Sequence, residues 1–255
     1  MSDMDIVQEF YDSMASSYHK LFEDWQASTK EQALVLDRIF KAEGFDEKSG
    51  VLDCACGIGT QCIGLASLGY TDITASDIST AELDKATENT KKNNADIAFQ
   101  CADFRALAES FSQQFDIIIA MDNALPHMMS KADLKTAAES ITARLKTGGI
   151  FVASIRDYDS LLSTKPVYSP PYIHKTEIGQ RVSFQTWEWS GDIYKLIQYI
   201  IDDGEKLGVE KYECMYRAVR RDELTSLLKD FGCKDVKWLF SEESGYYQPV
   251  LVARK

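Results

Sequence analysis

The chain has 255 residues, 45% of them hydrophobic and 27% charged, which suits one domain with a full core and some additions. A formal net charge of −12 repels phosphate backbones and anionic lipid, and argues against nucleic acid and membrane surfaces as partners. The acidic start "MSDMDIVQEFYDSM" lacks the basic and apolar regions of a signal peptide, and no apolar run approaches the roughly 20 residues of a membrane span, so a cytoplasmic protein is expected.

Residues 4–42 read as helical, with Ile6, Phe10, Met14, Leu34, Leu36, Ile39 and Phe40 as the apolar positions and Gly44 as the stop. From Val51 onward strands and helices alternate. Strands are expected at 50–55, 72–76, 97–101, 115–121 and 149–155, and helices at 60–68, 80–93 and 131–146, the last ended by "KTGG". Such alternation implies a parallel sheet covered on both faces, and the nearly all-apolar "FDIIIAM" suits a central parallel strand. After Asp157 the texture changes. "STKPVYSPPYIHK" (163–175) reads as an irregular loop, and 181–201 as a hairpin turning at Ser190-Gly191-Asp192, joined by a strand at 209–219. A helix at 220–232 and strands at 234–240 and 246–253 complete the chain.

"GVLDCACGIGTQCIGLASLGY" (50–70) has the layout of a strand, a tight glycine turn and a helix, the arrangement at which nucleotides bind. It is not the dinucleotide fingerprint: the third glycine position after Gly57 and Gly59 holds Cys62, and Asp53 precedes the turn. A dehydrogenase is therefore disfavoured. Cys54, Cys56 and Cys62 lack a fourth ligand and zinc spacing, and read as reduced buried thiols, not as a metal site. Asp77, 20 residues after Gly57, ends the next strand in "ITASDIS", where a carboxylate can accept ribose hydroxyls. Asp103 follows the third strand in "QCADFRAL". One such acid is ordinarily a helix cap or a solvated turn; three at successive strand ends point to a cofactor. Asn123 and His127 in "AMDNALPHMM", and Arg156, Asp157, Tyr158 and Asp159 in "SIRDYDSLL", fall at the same edge of the sheet.

Asp53, Ala55, Gly57 and Gly59 fit the pattern D/E-x-G-x-G-x-G, with alanine at its first glycine, and this resembles the first motif of class I S-adenosylmethionine-dependent methyltransferases. "N-x-x-P-H" after the fourth strand, "R-N/D-Y-D" after the fifth, and the flanks "YDSMASSYHKLFEDW" and "YRAVRRDEL…SEESGYYQP" are similar to the glycine/sarcosine N-methyltransferase group. The resemblance implies a Rossmann-like, doubly wound, mostly parallel seven-stranded α/β sheet. Residues 1–46 would be an N-terminal helical lid, and 47–255 the methyltransferase domain, with 157–219 an antiparallel substrate-cap insertion. S-adenosylmethionine is the implied cofactor. It would be held by Tyr18, Trp25, Asp53, Ala55, Gly57, Gly59, Asp77, Ile78, Asp103, Phe104, Met121 and Asn123.

Asn123, His127, Arg156 and Tyr158 are the implied catalytic set, with His127 a candidate proton acceptor. Arg156, Tyr172, Arg181 and Trp187 are the implied acceptor site, the arginines being suited to a carboxylate. The chain departs from the group at Ala55, and at Asp157 where amino-acid methylators often carry asparagine. The expected activity is methyl transfer to a small molecule, an amine or amino acid. The alternatives are a small-molecule O-methyltransferase and a non-catalytic S-adenosylmethionine-binding protein. Monomer and homo-oligomer remain equally open.

Overall fold

The run Phe115–Ala120 is apolar except at Asp116, and it lies within a mostly parallel sheet as its composition requires. The computed structural model describes residues 3–177 and 179–255. Its strands are β1 (Val51–Asp53), β2 (Ile73–Asp77), β3 (Ala98–Cys101), β4 (Phe115–Ala120), β5 (Leu145–Ser154), β6 (Tyr172–Thr176), β7 (Gly179–Ser190), β8 (Ile193–Asp203), β9 (Leu207–Arg217), β10 (Asp235–Leu239) and β11 (Val250–Arg254). Its helices are α1 (Asp3–Met14), α2 (Trp25–Ala42), α3 (Thr60–Ser67), α4 (Thr80–Asn93), α5 (Leu107–Ser110), α6 (Lys131–Arg144), α7 (Tyr158–Thr164), α8 (Arg221–Asp230) and α9 (Ser241–Ser244).

Seven strands form the main sheet in the order β10-β11-β5-β4-β1-β2-β3. All neighbours are parallel except β11, which runs antiparallel to β5 and β10. The strand order reverses between β1 and β4, so the crevice beyond their carboxyl ends is the topological switch point where ligands bind in open α/β sheets. Alternation along the strands divides the core. Val51, Ile73, Ile117, Ile119 and Val152 pack beneath Leu36, Phe40 and Ile63, whereas Leu52, Ile118, Phe151 and Leu251 face Leu134, Ile141 and Leu224. Helices α2 and α3 approach closely because α3 has no side chain at Gly64, where a Cβ would sit 2.5 Å from the Thr29 carbonyl oxygen.

The other four strands form an antiparallel sheet, β6-β7-β8-β9, with the β7–β8 turn at Gly191. Its inner face carries Trp187, Tyr194, Leu196 and Tyr216, which join Val7, Phe10 and Met14 of α1 in one apolar cluster. The N-terminal segment thus lies between the two sheets. Asp12 accepts hydrogen bonds from Ser79 Oγ (2.6 Å) and the Ala81 backbone N–H (3.2 Å) at the start of α4. On the other side, Lys20 pairs with Asp202 (3.4 Å) and Glu210 of the antiparallel sheet.

Three expectations about local structure need correction. The helical stretch expected over 4–42 breaks after Met14 into a 3-10 turn (Tyr18–Leu21), and α2 starts afresh where the Asp24 side chain accepts from the backbone N–H groups of Gln26 and Ala27. Helix α6 stops at Arg144, before "KTGG", because Leu145 pairs with Phe115 and opens β5 through a register shift. The loop expected over 163–175 contains the end of α7 and the edge strand β6, which pairs with β7 from Tyr172.

Candidate active site

Two cavities meet at the carboxyl ends of β1, β2 and β4, one of about 60 Å³ and one of about 560 Å³, and both are lined by Tyr11, Tyr18 and Asp122. The smaller is built on the turn after β1. Gly57 (φ +51°) and Gly59 (φ +92°) hold left-handed backbone there, which an L side chain strains. Ala55, Gly57, Ile78, Phe104 and Met121 line its wall. Asp77 also faces it, while its carboxylate accepts from the backbone N–H groups of Gly57 (2.9 Å) and Ser79 (3.0 Å). Burial raises its pKa.

Asp53 lies fully buried at the end of β1. Its Oδ1 is 3.5 Å from the Ala55 nitrogen and its Oδ2 has no partner. Burial pushes this carboxyl up to about 8, with the charges of Asp77 and Asp122 adding to the shift. A second orphan is Glu82. Ser79 and Glu82 have the spacing of a capping box, but only half of it forms: Ser79 Oγ accepts from the Glu82 N–H, while the Ser79 N–H goes to Asp77. The Glu82 carboxyl turns into the cavity instead, 1% exposed with Oε1 unpartnered, and burial and the charge of Asp77 raise its pKa well above the usual range.

Between the cavities the backbone is strained. Asp122 (φ +55°) and Asn123 (φ +71°) are consecutive left-handed residues, a conformation that costs on the order of 1–3 kcal/mol each. The strand ends hold them: Ser154 accepts through its carbonyl from Asn123 N–H (3.1 Å) and through its hydroxyl from Asp122 N–H (2.8 Å), and that hydroxyl donates to Gln248. The Asp122 carboxylate takes hydrogen bonds from the Tyr246 and Tyr247 hydroxyls and from Gln61 Nε2 (2.8 Å).

In the larger cavity Asn123 Oδ1 accepts from the Arg156 backbone N–H (3.1 Å) and the Tyr158 hydroxyl (3.0 Å), leaving its buried Nδ2 without a partner. The Arg156 guanidinium donates to the Tyr194 hydroxyl (2.8 Å) and Gln185 Oε1 (2.9 Å), and lies 5.1 Å from the Trp187 ring centroid. No carboxylate among the described residues forms an ion pair with it.

A model of the methyltransferase domain matches residues 51–149. The glycine/sarcosine N-methyltransferase of Aphanothece halophytica is 25% identical over 248 residues, which cover 94% of this chain and 85% of that one. That of Halorhodospira halochloris is 25% identical over 230 residues, 90% and 81% of the two chains. The fold is similar to that of a solved S-adenosylmethionine-dependent methyltransferase from Clostridium acetobutylicum, with a TM-score of 0.74 at 19% identity over 96% of this chain and 97% of that one. The chain is an S-adenosylmethionine-dependent methyltransferase.

The smaller cavity of this methyltransferase suits that cofactor. The buried carboxyls of Asp77 and Glu82, the second with an unpartnered oxygen, a turn that presents bare glycine backbone, and an apolar wall of Ile78, Phe104 and Met121 suit the hydroxyls and flat base of S-adenosylmethionine, and Asp53 lies behind the turn with an unpartnered oxygen of its own. Tyr18, Ala55, Gly57, Asp77, Ile78, Phe104 and Met121 stand where they could hold it, while Asp53 and Gly59 lie in the turn itself without lining the cavity.

Other residues named from the sequence lie elsewhere. Asp103 is outside the lining, where its carboxylate caps a 3-10 turn and chelates Arg105 at 2.6–2.9 Å. Trp25 is outside too, its indole donating to Thr60 Oγ1 (3.0 Å). Asn123, Arg156, Tyr172 and Trp187 line the larger cavity. Tyr158 lines neither cavity and orients Asn123 from behind, and Arg181 pairs with Asp202 at 2.6 Å. His127 lines the smaller cavity, with Nε2 2.9 Å from the Tyr11 hydroxyl. Burial pushes its pKa down to about 3, and the charge of Arg156 adds to the shift. Asp122, Glu82 and the Tyr246-Tyr247-Gln248 run were missed as site residues. Only the Ser79-to-Glu82 spacing carried a signal, and it pointed to a cap.

Proposed function

We propose that this methyltransferase methylates the nitrogen of a small amine that also carries a carboxylate. The observation that carries the reading is Arg156: a guanidinium in the larger cavity whose side-chain partners are the neutral Tyr194 and Gln185, beside the unpartnered amide of Asn123. A guanidinium is always charged, and its fork matches a carboxylate. The likeness to glycine/sarcosine N-methyltransferases over most of the chain supports an amino-acid acceptor.

Asp77 and the Gly57 turn, with Asp53 behind that turn, would hold S-adenosylmethionine, which would supply an electrophilic methyl group on a sulfonium. The residues around it align and exclude water, which is what an in-line displacement requires of a protein. Tyr11 and Tyr18 line both cavities, and an aromatic face turned to the sulfonium would be worth on the order of 0.5–2 kcal/mol. Arg156 and Asn123 would fix the carboxylate end of the acceptor and leave its amine toward Asp122. The residues 3–24 would act as a lid and the antiparallel sheet as the substrate cap.

A methyl-transfer screen over amino acids, amines lacking a carboxylate, phenols and carboxylic acids, read as S-adenosylhomocysteine released, tests this. Turnover should concentrate on amines that carry a carboxylate. Turnover confined to phenols or carboxylic acids would replace the proposal with O-methylation.

A further inference from the structure

We infer that Asp122 is the specificity residue for the amine end of the acceptor: its carboxylate receives the ammonium of a zwitterion whose carboxylate rests on Arg156 and Asn123. The inference rests on the amine-acceptor reading above. Three charged side chains line the larger cavity among the described residues, Glu31, Asp122 and Arg156, and Glu31 is solvent-exposed. Asp122 and Arg156 are therefore the inner pair, one of each sign. They do not neutralise one another. Asp122 is held by two phenols and an amide, and Arg156 by a phenol and an amide.

A carboxylate accepts about four hydrogen bonds, and Asp122 shows three, all from neutral donors, so it has both a site and a charge to offer. The strained backbone at Asp122 and Asn123 is what sets the carboxylate and the unpartnered amide side by side on this cavity. Strained backbone of this kind clusters at active sites and ligand clamps. Asp122 also touches the smaller cavity, so the ammonium it receives lies at the boundary where a methyl group crosses from one cavity to the other.

This placement has a kinetic signature. A carboxylate beside an ammonium favours the protonated form, and the amine must shed its proton before it can attack. Removing the charge should weaken acceptor binding and, at the same time, move the midpoint of the kcat–pH rise to lower pH. A residue that only braces Tyr246 and Tyr247 would do neither selectively.

The test uses the full chain and D122N, since Asn tolerates left-handed backbone at least as well as Asp. With S-adenosylhomocysteine bound, glycine, sarcosine and β-alanine are titrated against acetate, propionate and butyrate, which lack the nitrogen. The wild type should prefer at least one zwitterion over the simple carboxylates by tenfold or more. D122N should lose that preference while binding the carboxylates and S-adenosylhomocysteine within about threefold of the wild type. With a substrate that turns over, KM should rise at least tenfold and the pH midpoint should fall.

Equal binding of zwitterions and carboxylates by the wild type, or a preference kept by D122N, would overturn the inference. So would a fall in S-adenosylhomocysteine affinity, which would assign Asp122 to the cofactor's own ammonium, or joint loss of zwitterion and carboxylate binding, which would make it a cavity brace. If the wild type turns over amines but D122N shows unchanged KM and pH midpoint, this inference alone fails. If the wild type turns over no amine, the amine reading fails, and the binding comparison still decides whether Asp122 selects an ammonium.

Discussion

Asp53 and Arg156 make the chemistry of this site testable one side chain at a time. With its pKa pushed up to about 8 by burial, Asp53 is mostly protonated at pH 7. An ammonium placed against it would favour the ionised form, so S-adenosylhomocysteine binding should release a proton at pH 7 and strengthen as the pH rises toward about 8. Calorimetry in buffers of different ionisation enthalpy checks this; a binding heat that does not vary with buffer, or that varies equally in Asp53→Asn, would remove Asp53 from the cofactor site. In the free protein the sign is opposite. A folded pKa above the unfolded value of about 4 means this group's stability is fully present below that value and is lost as the pH climbs through about 8. For Arg156, replacement by Lys keeps the charge and loses the fork. KM for a carboxylate-bearing acceptor should rise more than kcat falls, because the contact is the same in ground and transition states. An unchanged KM would place the acceptor's carboxylate elsewhere.

At the scale of elements, α1 and the turn after it border both cavities. The smaller cavity, about 60 Å³, falls well short of the roughly 300–1,000 Å³ of a ligand site, and Val7, Tyr11 and Tyr18 form part of its boundary. Cofactor binding on this account displaces and then re-seats residues 3–24, whose anchors are the Asp12 bonds to α4 and the Lys20 pair with the antiparallel sheet. Hydrogen exchange there should slow when S-adenosylhomocysteine is added, and protection already maximal without it would make the segment plain scaffold. The α2–α3 contact supplies a control away from the site. Gly64→Ala pushes a methyl group against the Thr29 carbonyl and should cost about 1–3 kcal/mol in a denaturant melt, where an unchanged midpoint would contradict the close approach.

Elements were legible in the sequence wherever burial followed a period. The strands of the parallel sheet and α4 fall within a few residues of the expected ranges. Strand β6 was hidden because it follows Pro170 and Pro171, and Tyr172 and Ile173 are both exposed, so it shows no alternation. Within the site, the glycine turn and Asp77 announced themselves by spacing. Asp122 could not, because a single acid after a strand reads as a turn, and its meaning comes from Tyr246, Tyr247 and Gln61, which only the fold brings to it.

At the scale of the whole molecule, two sheets meet at one seam. The parallel sheet presents the β1 turn and the end of β4 at its switch point, and the antiparallel sheet closes over that edge with Gln185 and Trp187 facing the larger cavity. Among the described residues, no helix is long and apolar enough to cross a membrane. The central claim concerns what occupies the seam: a nitrogen nucleophile held by its carboxylate. The most direct measurement supplies S-adenosylmethionine with an isotope-labelled methyl group and the best acceptor from the screen, then locates the label in the product by NMR. The account predicts the label on nitrogen of a molecule whose carboxylate is unmodified. Label on a carboxylate or phenol oxygen, with none on nitrogen, would contradict it.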